Sequence, residues 1–279
     1  MQKLLVTTDL SASSKAGIRF AIQYASQSPC ELVFYNIFEG VENNSWNKRT
    51  DENKGISLHD LTLAKLKKFV SSIYKDNNLR ARKFSCVVET GIDTKNMIST
   101  YAKKNKFDYI CIGTRGAGIV KKILGTTTSS LIQHSPVPVI VVPKNYRLQK
   151  IDEIWYASDL ANLKNELVMV KNFAKPFKSN VHVYYYDYMI QLEETLDRLN
   201  KIAAKHISKG TYFHFRKMNI ESTISEHLQS DIKKQKPSLV ILFTKQDKSW
   251  YERLFLRNNS AEVTFETKTP LLILRKKSS

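Results

Sequence analysis

One septet pattern recurs. Leu4-Leu5-Val6-Thr7-Thr8-Asp9-Leu10 is echoed by Ile154-Trp155-Tyr156-Ala157-Ser158-Asp159-Leu160. Both are apolar runs of strand length that end in a hydroxyl residue, an aspartate and a leucine. After the first copy, Phe20, Ala21, Tyr24 and Ala25 stand at helical spacing, with Ser11, Ser13 and Ser14 as candidate caps. Glu31 to Phe38 predicts a second strand and Phe84 to Val88 a third. Between them, Leu58, Leu61, Ala64, Leu66 and Val70 mark a long amphipathic helix. Asp93 can cap a helix that carries Met97, Ile98, Tyr101 and Ala102 on one face. Tyr109 to Ile112 and Val139 to Val142 predict two further strands. Short apolar strands that alternate with helices mean an α/β fold with a mainly parallel sheet covered on both faces.

The second copy starts the same order again. Val181 to Tyr186, Tyr212 to Arg216, Leu239 to Phe243 and Leu271 to Leu274 read as strands. Leu192, Leu196, Leu199 and Ala203 share one helix face, and Ile220 to Ile232 reads as a helix. The units join near Pro143 to Lys150, which divides the 279 residues into 1–146 and 147–279. Gly40 to Gly55 is polar and asparagine-rich, a long loop confined to the first unit.

The stretch from Phe107 to Pro143 carries the candidate chemistry. Gly113, Gly116, Gly118 and Gly125 are four of the nine glycines in the chain, and the hydroxyl run Thr126, Thr127, Thr128, Ser129 and Ser130 follows them. Strand, glycine loop and helix start together suit an anion, because glycines admit close backbone N–H approach and a helix N-terminus adds a positive pole. The competing reading is a plain loop between two strands. Two familiar phosphate motifs are absent. No G-x-x-x-x-G-K-[ST] run occurs, and Gly116-Ala117-Gly118 is followed three residues later by Lys121 instead of glycine. The second unit has lost the element. Residues 150–279 hold one glycine, Gly210, and Trp250, Tyr251, Leu254 and Phe255 bring bulk after Phe243.

The stretch resembles the nucleotide loop of the universal stress protein family, G-x2-G-x9-G-[ST]. Gly113-Thr114-Arg115-Gly116 supplies the first half and Gly125-Thr126 the second, with eight residues between Gly116 and Gly125 where the family pattern has nine. Thr8-Asp9-Leu10-Ser11 after the first strand, Gly91 before the third helix and Pro136-Val137-Pro138-Val139 before the last strand extend the resemblance over the chain, as a tandem two-domain type. The resemblance implies a Rossmann-like open sheet of five mainly parallel strands in each unit, of the adenine nucleotide alpha hydrolase-like kind. It implies an adenine nucleotide, ATP with Mg2+, at the carboxyl ends of the first sheet. Thr8 and Asp9 would lie near the adenosine, and the Ile37 backbone would meet the adenine. Gly113, Arg115 and Gly116 would approach ribose and phosphates, and Gly125, Thr126 and Thr127 would donate to phosphate. A helix cap is the competing role for Asp9, as for Asp159. The last strands, Val139 to Val142 and Leu271 to Leu274, would pair as an intramolecular pseudo-dimer, and a homodimer is the further association implied.

A net charge of +18 favours anionic partners such as nucleotides, nucleic acid or membrane headgroups. The basic residues are scattered, as at Lys65, Lys67 and Lys68 or Lys233, Lys234 and Lys236, and read as a solvated surface. No run approaches the roughly 20 apolar residues of a membrane span. The first residues lack the apolar core and cleavage site of a signal peptide, so the expected compartment is the cytoplasm. Cys30, Cys86 and Cys111 form no C-x-x-C, and disulfides are not expected. His59, His134, His182, His206, His214 and His227 make no zinc-binding spacing, and His182 and His214 read as structural members of strands. No nucleophile elbow occurs. A nucleotide-cleaving enzyme needs a Mg2+ carboxylate and a group that orients water. Asp9 has no evident second member, so the expected activity is at most slow ATP hydrolysis. Tyr184, Tyr185, Tyr186 and Tyr188 alternate faces in a strand and read as core packing plus a sheet edge rather than a base-stacking platform. Three readings stay open: a stress-response regulator or sensor that binds ATP in its first unit, a nucleotide-free interaction scaffold of the same fold, and a basic nucleic-acid-associated protein.

Overall fold

A computed structural model describes residues 1–38, 57–80, 83–114, 126–190, 192–244 and 268–276. The chain divides into two compact units, Met1–Leu148 and Gln149–Ser279. The polar stretch Gly40 to Gly55 lies outside the described residues, as do Trp250, Tyr251, Leu254 and Phe255.

The first unit runs β1 (Gln2–Thr7), α1 (Lys15–Gln27), β2 (Cys30–Phe38), α2 (Leu58–Asp76), β3 (Ser85–Thr90), α3 (Thr94–Lys104), β4 (Tyr109–Gly113), α4 (Thr126–His134) and β5 (Val139–Val142). Its sheet has the order β3-β2-β1-β4-β5, and every pair is parallel. Leu4, Leu5 and Val6 are apolar without alternation because the central strand β1 is covered on both faces, and all three are buried. Right-handed crossovers put α1 and α2 on one face and α3 and α4 on the other. Alternating β2 side chains serve both layers. Phe34 meets Phe84, which stacks on Tyr74 of α2, while Tyr35 stacks on Tyr101 of α3 at 4.6 Å. Asp93 caps α3 as expected, accepting the Asn96 N–H at 3.3 Å.

The second unit runs β6 (Glu153–Ala157), α5 (Leu163–Ala174), a 3-10 turn (Lys175–Phe177), β7 (Asn180–Asp187), α6 (Glu193–His206), β8 (Thr211–Lys217), α7 (Ile224–Gln235), β9 (Leu239–Thr244) and β10 (Leu271–Arg275). Its parallel order, β8-β7-β6-β9-β10, repeats that of the first unit. The helix expected from Ile220 starts instead at Ile224. There a capping box between Thr223 and Glu226 satisfies both chain ends of the turn and sets the boundary. Tyr184 and Tyr186 point to one face, and their hydroxyls donate to Gln235 and Asp231 of α7. Tyr184 stacks on Trp155 at 3.9 Å, so Tyr184 and Tyr186 are packing, whereas Tyr188 lies beyond the end of β7 and is exposed.

The strand histidines are tied to a carboxylate. Glu153 Oε2 lies 2.5 Å from His182 Nε2, and His182 Nδ1 lies 2.9 Å from His214 Nε2. The carboxylate requires a proton on His182 Nε2. In the neutral ring Nδ1 is then the acceptor, and His214 Nε2–H is the donor. With those nitrogens 2.9 Å apart, centroids 5.1 Å apart and planes tilted by 21° place the two rings edge to edge. Burial first, then the charges of His182 and Arg216, lower the His214 pKa to about 4.

Candidate functional site

The candidate site forms where β1 ends. Thr8 N–H still donates to Tyr35 O at 3.0 Å, but the Thr8 carbonyl accepts from the Asn36 side-chain amide at 2.8 Å. A side chain thus makes the next rung, and the main chain turns away. Leu10 takes φ 60°, a left-handed conformation that a branched side chain avoids without support. The support is a set of short bonds. Thr8 Oγ1 accepts the Leu10 N–H at 3.0 Å, and Asp9 Oδ1 accepts the Ser11 N–H at 3.1 Å and the Ser11 hydroxyl at 2.5 Å. Ser14 Oγ donates to Ser11 O at 2.8 Å, so at its 2.7 Å contact with Thr8 it is the Thr8 hydroxyl that donates.

Two expectations are corrected here. The serines expected to cap α1 are used within this turn, and Ser14, the residue before the helix, makes no side-chain cap. Asp9 is likewise no cap, since α1 begins at Lys15. Burial works to raise the Asp9 pKa, but the Ser11 hydroxyl and backbone bonds outweigh it and hold the carboxyl below its usual range. The result is a fixed, ionised carboxylate on an exposed turn.

The neighbouring strand β4 ends beside it. A Cβ on Gly113 would come within 3.1 Å of Ser13 O, and one on Gly17 within 3.2 Å of Gly113 N. The two glycines let α1 lie directly on the end of β4, a packing role for Gly113 that its place in the glycine run did not announce. Gly17→Val is expected to cost about 2 kcal/mol through overpacking, read as a lower melting temperature. Beyond Gly113, Thr114 N–H donates to Val142 O at 2.9 Å, and Thr114 Oγ1 accepts the Lys144 N–H at 3.2 Å.

β1 and β4 are adjacent strands whose connections depart in opposite directions, the point where an open α/β sheet leaves a crevice at its carboxyl edge. Thr126 and Thr127 open α4 on that side, where the first N–H groups of a helix lack internal partners. The structure therefore gathers Thr8, Asp9, Ile37, Gly113, Thr126 and Thr127 at one edge of the first sheet. Of these, the Thr8 hydroxyl is engaged within the turn. Arg115, Gly116 and Gly125 lie outside the described residues.

The second unit builds the same turn and then closes it. Leu160 takes φ 62°, Ser158 Oγ accepts the Leu160 N–H at 3.0 Å, and Asp159 Oδ1 accepts the Ala161 N–H at 3.1 Å. Asp159 is no helix cap either, since Asn162 precedes α5. It pairs instead with Lys276, whose Nζ lies 2.5 Å from Asp159 Oδ2 and 3.5 Å from Glu166 Oε1. Glu166 is buried and also accepts from the Tyr156 hydroxyl. The positions that carry this network in the second unit match Val6, Ala16 and Lys144 in the first. Phe243, which stands where Gly113 stands in the first unit, packs edge-on against Tyr156. Sequence reading missed Lys276 and Glu166, although the repeat register was enough to pair Lys276 with Lys144.

Among the described residues no group of three or more His, Cys, Asp or Glu side chains could hold a metal ion. No described helix is long and apolar enough to cross a membrane.

Residues 1–143 match the universal stress protein family. No curated protein matches the chain by sequence. Among solved structures, the fold is similar to that of a universal stress protein from Archaeoglobus fulgidus, with TM-score 0.65, 15% identity and 98% of each chain covered. It is also similar to a functionally unknown protein from Pseudomonas aeruginosa, with TM-score 0.61, 16% identity, and 99% of this chain and 92% of that chain covered. At such identities the likeness is one of fold.

Proposed function

The chain belongs to the universal stress protein family, and from that premise we propose that it binds an adenine nucleotide, ATP, at the carboxyl edge of the first sheet. On this reading it is a cytoplasmic stress-response regulator or sensor that works by binding, with at most slow hydrolysis. One observation carries the reading: the contrast between Asp9 and Asp159. Both sit in the same strained turn, but Asp159 is neutralised by Lys276 within its own unit. Asp9 is bonded to the adjacent serines, with small residues, Ala16, Gly17 and Gly113, at the positions that Glu166, Leu167 and Phe243 fill in the second unit. An ionised carboxylate held this way suits a ribose hydroxyl pair, and the start of α4 suits phosphate. Arg115, Gly116 and Gly125 belong to the same proposal through the glycine loop. The second unit is, on this reading, a version that has given up its ligand. The pairing of the two closing strands within one chain is part of it too, with a homodimer as the further association, and sedimentation of the full chain tells monomer from dimer.

Calorimetric titration with ATP and Mg2+ tests the proposal, beside mass spectrometry of small molecules released from the purified protein. The expected result is saturable binding, at least tenfold weaker in Asp9→Ala and lost in Gly116→Val. No released nucleotide and no heat at millimolar ATP, from a folded sample, would transfer the reading to an interaction scaffold of the same fold.

A further inference from the structure

The second unit holds a group of apolar side chains in water beyond the ends of two adjacent strands. Tyr188, Met189 and Leu192 follow β7, Ile220 and Ile224 follow β8, and all five are exposed, Ile220 to 93%. The two connections lie side by side, because β7 and β8 stay in register to Asp187↔Lys217 and Met218 N–H donates to Asp187 O at 3.0 Å. Both are held by hydrogen bonds. Asp187 Oδ1 accepts the Met189 N–H at 3.0 Å, and Leu192 N–H reaches Met189 O at 3.0 Å. Asn219 N–H reaches His227 Nε2 at 3.2 Å, and the capping box follows. Ile190 and Met218 are buried in the same connections. Single exposed apolar residues need no explanation, but a group presented on two adjacent fixed turns marks a contact surface.

Charge says what would cover it. Glu193 and Glu194 open α6, and Asp187, Glu221 and Glu226 stand in or beside the two turns, five carboxylates against the two cations Lys217 and Arg198. This is an acidic rim on a chain whose net charge is +18. We propose that these two turns form a docking surface for a basic amphipathic segment of a partner protein. Its apolar face covers Met189, Leu192, Ile220 and Ile224, and its Lys and Arg side chains meet the carboxylates. The net positive charge of the chain disfavours such a segment elsewhere, so the carboxylates steer it to this rim and fix its register. A second copy of the chain fits less well, because joining one unit's acidic rim to basic surface elsewhere on another copy is a head-to-tail contact, which builds rings or open filaments and not the common two-fold dimer. The proposal does not depend on nucleotide binding in the first unit.

The test titrates the full chain with a synthetic leucine–lysine amphipathic peptide of about 18 residues, five helical turns. A leucine–glutamate peptide of the same pattern is the control, at ~0.15 M salt. The leucine–lysine peptide is expected to bind in the micromolar range and the control not to bind. The double variant Met189→Lys with Ile220→Lys, shown to be folded by circular dichroism, should weaken binding more than tenfold. Val168→Lys, at an exposed position of α5, should leave it unchanged. No binding, equal binding to all three proteins, or binding of the control peptide would overturn the proposal. Self-association that rises with concentration and vanishes in the double variant would assign the surface to a second copy instead.

Discussion

Lys276→Met is expected to destabilise the second unit by about 3 kcal/mol, the cost of leaving a buried charge without its partner. Glu166 is 2% exposed, and Lys276 is the cation that reaches it, at 3.5 Å. Methionine conserves the length of the stem but removes the ammonium, which strands Glu166 and releases Asp159 together. Glu166→Gln on top of Lys276→Met should recover a large part of the loss, since the amide keeps an acceptor for the Tyr156 hydroxyl without the charge. Denaturant unfolding of the three proteins decides the matter. A loss below ~1 kcal/mol in Lys276→Met would mean that water reaches Glu166 and that the network does not hold the unit closed.

Acid should weaken the second unit through His214. In the folded chain its pKa stands at about 4, against 6.5 for an ordinary histidine. Between those values the unfolded chain binds a proton that the folded chain refuses, so stability rises with pH there. The contribution is complete above about pH 6.5 and is lost as the pH falls toward about 4. The full shift would correspond to about 3 kcal/mol, and partial exposure reduces this to about 1–2 kcal/mol. The groups around the ring are His182 and Glu153 from β7 and β6, Arg216 on its own strand, Tyr184 stacked on it, and Asp231 from α7. Urea midpoints at pH 7 and pH 5 should converge in His214→Gln relative to the parent. An unchanged slope in that variant would trace the acid sensitivity to carboxylates instead.

Much of this fold was legible because parallel strands covered on both faces leave continuous apolar runs, as at Leu4 to Val6 and Leu239 to Phe243. Helix starts were less so. Ser11, Ser13 and Ser14 are all good caps in isolation, and only the turn at Leu10 shows that they are engaged elsewhere. Asp159 has the right chemistry for a cap, yet its partner Lys276 is 117 residues away, and no local pattern announces such a pair. Glu166 looks like an ordinary polar helix position until that lysine reaches it. Gly113 was visible as a loop glycine, while its contact with Gly17 depends on the angle at which a helix crosses a strand end. His182 and His214 were rightly placed in strands, but Glu153 lies on a third strand, and only the sheet order brings it to them.

The occupied turn at Asp159 also decides how the chain would answer to its surroundings. A ligand that binds only the native state raises stability in proportion to the logarithm of its concentration, but only for the part of the chain that binds it. On the proposed reading the first unit, where among the described residues no lysine pairs with Asp9 as Lys276 does with Asp159, is the part open to that influence. The second carries its counter-ion covalently, at an effectively constant concentration. Its melting should therefore be indifferent to nucleotide level, while that of the first unit moves. One chain then contains both a variable element and its own fixed standard, so the ratio of their responses would report ligand supply independently of temperature drift or of how much protein is present.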